Sequence, residues 1–342
     1  MARTEDPTTK GPPMPPSLTA GVDLGGTKIQ TVVVRGKVVI GSDRVATPGS
    51  GATDVIAAIV GSLQASLAAA TAEIAELGGI GIGSPGAIDS ANGLVTDSPN
   101  VPGFQDAVAL GPEVSAALHD TPVTIDNDVR VAMLGEHTLG AARPYRNVMG
   151  VFVGTGVGGG LVLDGKLRDG RGAAGEIGHA SVTPKGRRCS CGRRGHLEAY
   201  AGRGRMEVRA RKLAAHGEAT DLFDIMAEKH RERLSSGVIV KALAKRDPMA
   251  MSLVDDAVWA LGIALASAQN LLDLEAIVIG GGLGDRLGQP FVDRVVSAMH
   301  PRLFVPDKPP VVLTTELRDL SGAVGGAVLA DRQLSAARRA SR

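Results

Sequence analysis

Both cysteines of the chain, two of its seven histidines and two carboxylates fall between Glu176 and Glu198. Cys189, Cys191 and His196, with His179 ahead of them, offer two thiolates and two imidazoles, a donor set that suits tetrahedral zinc. Glu176 and Glu198 bracket this knot with acceptors suited to a polyol's hydroxyls. The segment reads as a structural metal shaping a sugar site.

Three glycine clusters add a second chemistry. In Gly21-Val-Asp-Leu-Gly-Gly-Thr-Lys28, Gly25 and Gly26 permit a turn whose N–H groups can approach an anion, while Thr27 and Lys28 add a hydroxyl and a cation. Asp23, at the strand end, is placed to hold Mg²⁺ through water. An ordinary β-hairpin also accommodates Gly-Gly, but it has no need of the Asp, Thr and Lys together. Gly154-Thr155-Gly156-Val-Gly158-Gly159-Gly160 suits a second phosphate-facing turn. Gly280-Gly281-Gly282 fits either a plain strand-to-helix connection or the seat of a base or ribose. No G-x-x-x-x-G-K-[ST] run occurs, which argues against a P-loop nucleotidase.

Thr124-Ile-Asp-Asn-Asp128 ends a buried strand with three polar residues. One of them suffices to cap a helix; the remaining carboxylate can accept a proton from an attacking hydroxyl, and Asp128 is the candidate base. Ser84-Pro-Gly86 and Ser98-Pro-Asn100 are loops by composition. Asn100 offers a sugar hydroxyl both a donor and an acceptor.

These residues need a scaffold. The 342 residues are enough for two lobes, and 44% hydrophobic with 21% charged residues reads as soluble and globular. A net charge of +1 gives no reason to expect nucleic acid. Two cysteines one residue apart favour a reduced, cytoplasmic setting over a disulfide. No charge-free run of about 20 apolar residues announces a membrane span, and the N-terminus lacks the apolar centre of a signal peptide. Residues 1–17, rich in proline and threonine, read as a disordered tail. Strand signals follow over 19–34, 38–41, 79–82, 123–125, 148–153, 161–163, 276–279 and 311–315, and helical ones over 54–77, 112–118, 127–139, 199–250, 255–272 and 322–337. The two halves share a plan, a glycine-turned hairpin followed by strands and helices. Two related α/β lobes with a ligand cleft between them are therefore expected.

In this order the motifs resemble the ROK family of sugar kinases and repressors, over about Ala20 to Ala330. The resemblance implies an actin/hexokinase/Hsp70-like (ribonuclease H-like) α/β fold. It divides the chain into lobe 18–125, completed by a C-terminal helix over 321–338, and lobe 126–320 carrying zinc loop 176–198. It also implies an ATP- and Mg²⁺-dependent kinase acting on a hexose, glucose first, with N-acetylmannosamine, N-acetylglucosamine or fructose as alternatives. Asp128 becomes the base; Gly86, Asn100, Asn127, Glu176, His179 and Glu198 become the sugar contacts. Asp23, Gly25, Gly26, Thr27 and Lys28, then Gly154, Thr155, Gly156, Gly158 and Gly159, then Gly281 and Gly282 become the nucleotide contacts, and His179, Cys189, Cys191 and His196 the zinc ligands. His179 would ligate zinc through one ring nitrogen and donate to the sugar through the other. A homo-oligomer, dimer or tetramer, is implied as well. Two residues depart from the family pattern. His196 stands where a third cysteine is usual. Arg130 replaces a small residue and is expected to cover its own helix face or tune the electrostatics near Asp128. Two other roles compete. One is a sugar-sensing regulator, for which the short proline-rich N-terminus leaves no room for a DNA-binding domain. The other is a polyphosphate-using kinase, for which Arg187, Arg188, Arg193, Arg194, Arg203 and Arg205 would form the anion patch.

Overall fold

The computed structural model describes residues 18–340, so the tail expected at residues 1–17 lies outside the described residues. The first unit contains β1 (Leu18–Leu24), β2 (Lys28–Arg35), β3 (Val38–Ala46), α1 (Ala52–Ala69), β4 (Leu77–Ser84), the small hairpin β5 (Ala87–Asp89) and β6 (Leu94–Thr96), α2 (Leu110–Ala117) and β7 (Val123–Asn127). Helix α3 (Asp128–Leu139) leads out of it. The second unit follows with β8 (Val148–Val153), β9 (Val157–Leu163), β10 (Lys166–Leu167), α4 (Glu198–Ala201), α5 (Arg203–Ala215), α6 (Leu222–Glu228), α7 (Ser236–Ala244), α8 (Pro248–Leu272), β11 (Ala276–Gly280), α9 (Gly281–Met299) and β12 (Val311–Thr314). Helix α10 (Ser321–Ala340) closes the described chain.

The two main sheets repeat one design. The first runs β3-β2-β1-β4-β7 and the second β10-β9-β8-β11-β12. In both, three strands pair antiparallel, then two join in parallel. This duplicated sheet, flanked by helices, is the two-lobed α/β architecture the resemblance implies. β1 and β4 are buried on both faces, as parallel neighbours under helices must be. Helices α1 and α8 are long and apolar enough to cross a membrane by length and composition. α1 turns Val55, Ile59 and Leu63 into the first core, and α8 is mostly buried in the second.

Helix α10 lies on the first sheet although its sequence follows the second unit. A Cβ on Gly21 would sit 1.8 Å from Ala323 O, and one on Gly81 would sit 1.9 Å from Gly326 O. Side chains at either position would push the helix off the sheet. The chain therefore passes between the units twice, through α3 and just before α10. Glu136 of α3 is fully buried at that crossing. Its carboxylate accepts from Ala141 N at 2.9 Å, Glu316 N at 3.1 Å, Leu317 N at 3.0 Å and Ser321 Oγ at 2.7 Å.

Candidate functional site

The β1–β2 turn closes on itself, with Gly25 N donating to Lys28 O at 2.9 Å. Thr47 straps it, donating its hydroxyl to Gly25 O at 2.6 Å and its N–H to Thr27 O at 3.3 Å. The Gly25 N–H is thus committed to the hairpin, which leaves Gly26 and Thr27 to offer N–H groups to an anion. Gly26 must be glycine for another reason as well: a Cβ there would lie 2.1 Å from Asn100 O. The loop bearing Asn100 is packed directly on the phosphate-type turn. Lys28 reaches Asp319 at 3.2 Å, and Arg44 reaches the same carboxylate at 3.3 Å. Burial raises the Asp319 pKa, but Lys28 and then Arg44 outweigh it and hold the carboxyl below its ordinary range. Thr47 and Asp319 carry no motif and were invisible to sequence reading.

Sheet register gathers the carboxylates. Asp23 pairs with Gly83, and Gly83 pairs with Asp126, so all three end at one edge of β1, β4 and β7. Asp128 follows at the first position of α3. Asn127 is the helix cap, its Oδ1 accepting from Val129 N at 3.1 Å and Arg130 N at 3.2 Å. That engages its oxygen and leaves its amide NH₂ as the donor for a ligand. The Asp128 side chain accepts from Val129 N at 2.9 Å. Burial, then the neighbouring Asp23 and Glu176 charges, push its carboxyl up to about 7. Asp23 is also raised, by burial first, with Lys28 opposing.

Arg130 neither rests on its own helix face nor serves Asp128. It is buried and donates from Nε to Asp126 at 3.0 Å and from Nη1 to Arg168 O at 2.7 Å, and Nη2 also bonds Asp169.

In the second unit, Gly154-Thr155-Gly156 forms the expected tight turn, with Gly154 N donating to Gly156 O at 2.9 Å. Gly158 and Gly159 instead lie within β9. A Cβ on Gly158 would meet Val129 Cγ2 at 2.5 Å and one on Gly159 would meet Gly175 O at 2.4 Å, so packing beneath α3 and the next loop accounts for both. Arg203 donates to Thr155 Oγ1 at 2.8 Å and to Ser236 Oγ at 3.0 Å. It faces Gly282, whose Cβ would be 4.0 Å from its Nη1. Gly281, with φ +82°, starts α9 tight against Val153. A groove of about 360 Å³ beside it is lined by Lys229, Gly237, Val240, Lys241, Ala244 and Arg286. Arg203 is held by its two bonds to Thr155 and Ser236, Arg187 pairs with Asp256 at 2.6 Å and stacks on Tyr200, and Arg194 bonds Gly186 O at 3.3 Å.

The ligand atoms of His179, Cys189, Cys191 and His196 all lie within 4.8 Å of one another, and both cysteines are free. Cys189 Sγ is 3.7 Å from His179 Nδ1 and Cys191 Sγ is 3.3 Å from His196 Nδ1. Zinc bond lengths give an S–N tetrahedral edge of about 3.5 Å, so this set fits zinc. A small knuckle presents it: Cys189 N donates to Arg193 O at 2.8 Å and Gly195 N to Arg187 O at 2.9 Å. Glu198 is buried beneath the knuckle. It bonds Ser190, approaches Cys189 Sγ at 3.2 Å and accepts from Val157 N at 3.2 Å. It ties the knuckle to the Gly156 turn, while Glu176 and His179 are exposed. Gly86, with φ +106° and a would-be Cβ 2.5 Å from Thr96 O, shapes the β5–β6 hairpin by its backbone.

The ROK family model matches residues 19–333. A glucokinase of Halalkalibacterium halodurans is 33% identical over 323 residues, 92% of this chain and 94% of that protein. An N-acetylmannosamine kinase of Vibrio cholerae is 30% identical over 285 residues, 83% of this chain and 90% of that one. A ROK family glucokinase from Streptomyces griseus, solved with glucose and AMPPNP, superposes with a TM-score of 0.76 at 29% identity, covering 92% of this chain and 100% of that one. Duplicated sheets, clustered turns and these similarities lead to one conclusion: the chain belongs to the ROK family and is a sugar kinase of the actin/hexokinase-like fold.

Proposed function

We propose that the chain transfers the γ-phosphoryl group of ATP to the primary hydroxyl of a hexose, with glucose as the substrate. One observation carries this reading: Asp128, directly after the strand paired beside β4, has its carboxyl pushed up to about 7 by burial and by the charges of Asp23 and Glu176, both near enough to act on it. A base poised near the working pH can take the hydroxyl proton as the oxygen attacks phosphorus. The N–H groups of Gly26, Thr27 and the Gly154–Gly156 turn receive the phosphates, and Lys28 exchanges Asp319 for them. Arg203 and the N-terminus of α9 flank the nucleoside end, with the groove beside Gly282 as its seat. Asn100, the Asn127 amide, Glu176 and His179 hold the sugar, with Gly86 shaping the adjoining hairpin. Glu198 supports the wall from behind.

Asp23 raises the proton affinity of Asp128, and burial and then Asp319 raise that of Asp23, a surplus of negative charge that suits Mg²⁺ held near Asp23. Asp23 would hold the ion through water, and the ion would supply the positive charge that offsets charge developing on the phosphates. Zinc on His179, Cys189, Cys191 and His196 would hold the knuckle and fix the His179 tautomer, so that its other N–H can donate to the sugar. Two free thiols suit a reducing cytoplasm, and a dimer or tetramer is the assembly expected, readable by sedimentation.

The test is ADP release with glucose, mannose, fructose, N-acetylglucosamine and N-acetylmannosamine, each with ATP and with polyphosphate. Glucose with ATP should give the highest kcat/KM. The 30% identical N-acetylmannosamine kinase supports that sugar as the second reading, and a higher kcat/KM for it would replace glucose. Sugar binding without any turnover would replace the kinase with a sensor.

A further inference from the structure

Arg130 contacts no reacting group, yet it is the most heavily engaged cation near the site. Its guanidinium meets both oxygens of Asp126, at 3.0 and 3.2 Å from Nε. From the same plane it donates to the Arg168 carbonyl at 2.7 Å and bonds Asp169. Asp126 lies two residues before the base. Asp169 opens the run Asp-Gly-Arg-Gly-Ala-Ala-Gly175, and Glu176 and His179 follow it directly. This run carries three left-handed glycines, Gly170 at φ +58°, Gly172 at +96° and Gly175 at +88°. Gly170 to Ala173 are exposed. Its far end is seated on β9, where a Cβ on Gly175 would lie 3.2 Å from Gly160 Cα. Its near end has the Arg130 bonds and the bond from Arg168 N to Leu161 O at 2.8 Å. A glycine-rich loop carries high backbone entropy, so a buried tether at its entry restricts the whole segment.

We propose that Arg130 is a positioning residue for the acceptor sugar. It joins the strand end that carries the base to the loop that delivers Glu176 and His179, so that base and sugar wall share one anchor. The planar fork is needed because a single lysine ammonium cannot span a carboxylate, a carbonyl and a second carboxylate at once. This rests on the reading of Glu176 and His179 as the sugar wall.

The test compares Asp169→Ala, Arg130→Lys and Arg130→Ala with wild type. The Asp169 side chain is 80% exposed, so its loss removes one arm of the tether without opening the core. D169A should raise the glucose KM about three- to tenfold with kcat and the ATP KM little changed, the signature of lost ground-state positioning. R130A should raise it further, and R130K should recover part of the loss. Trypsin should cut after Arg171 faster in D169A and R130A than in wild type, and glucose should slow the cut. If R130A does not fold, D169A decides alone. Unchanged trypsin cleavage would refute the tether. Faster cleavage with an unchanged glucose KM would refute the positioning role. Failure of the kinase reading shows separately, as a wild type without turnover, and the cleavage comparison still decides the tether.

Discussion

Asp128 binds its proton more tightly in the folded chain than an unfolded one, its pKa being pushed up from 3.8 to about 7 by burial and then by Asp23. A raised carboxylate favours the native state only while it stays protonated. That contribution is present below about pH 4 and is lost as the pH rises to about 7. Asp128→Asn should therefore raise Tm relative to wild type at pH 8 and leave it near wild type at pH 4, read by calorimetry at both. The same variant should lose turnover by about 10²–10⁴-fold while glucose binding survives, since a general base contributes on that order. For the wild type, kcat/KM should fall about tenfold per unit below about pH 7 as the base protonates. Asp23→Asn removes a charge that raises Asp128, so the acid limb of the remaining activity should move to lower pH. An unmoved limb would mean that Asp23 does not face the base.

At the scale of elements, the knuckle and the glycine turns answer to different demands. Purified protein should contain about one zinc per chain, and His196→Ala should lower that content in a direct metal assay. A fully active wild type without zinc would mean that packing under Glu198 alone shapes the loop. Gly26→Ala should cost both stability and ATP affinity, because the added methyl meets the Asn100 backbone and not the end of a flexible side chain. The elements differ in how plainly the sequence announces them, for physical reasons. Strands β1, β4, β8 and β11 are nearly continuous apolar runs and were legible. Helix α9 was not, because its glycines and Pro290 hide a helical repeat, and the helix is in fact kinked at Gly288. Gly158 and Gly159 read as turn residues because glycine excess looks the same in a phosphate loop and in a strand crossed closely by a helix.

For the whole molecule, the two crossings between the units set how the halves of the site meet. Glu136 holds both: one buried carboxylate receives three backbone N–H groups and the Ser321 hydroxyl. Removing it takes the side-chain acceptor from three part-buried N–H groups, while the Ser321 hydroxyl keeps the Arg318 carbonyl at 2.8 Å. Glu136→Ala should therefore cost about 3 kcal/mol or more in denaturant unfolding, although the residue touches no substrate. Gly81→Ala should be as harmful, since a methyl there would displace α10 from the sheet. Nothing in the local sequence of Glu136 announces this role. Its partners lie up to 185 positions away.

The sequence by itself determined what kinds of chemistry are present: a zinc donor set, glycine turns, a carboxylate at a strand end, and the family to which their order points. Those depend on residue type and short spacing, and both are written along the chain. Only the tertiary structure decided what these residues touch. It buried Glu198 against Ser190, Cys189 and Val157, committed Gly25's N–H and Asn127's oxygen to local bonds, packed Gly158 and Gly159 against α3 and the next loop, and made Arg130 a bridge. Burial, hydrogen-bond partners and close backbone approach arise between segments distant in sequence, and short-range patterns do not encode them.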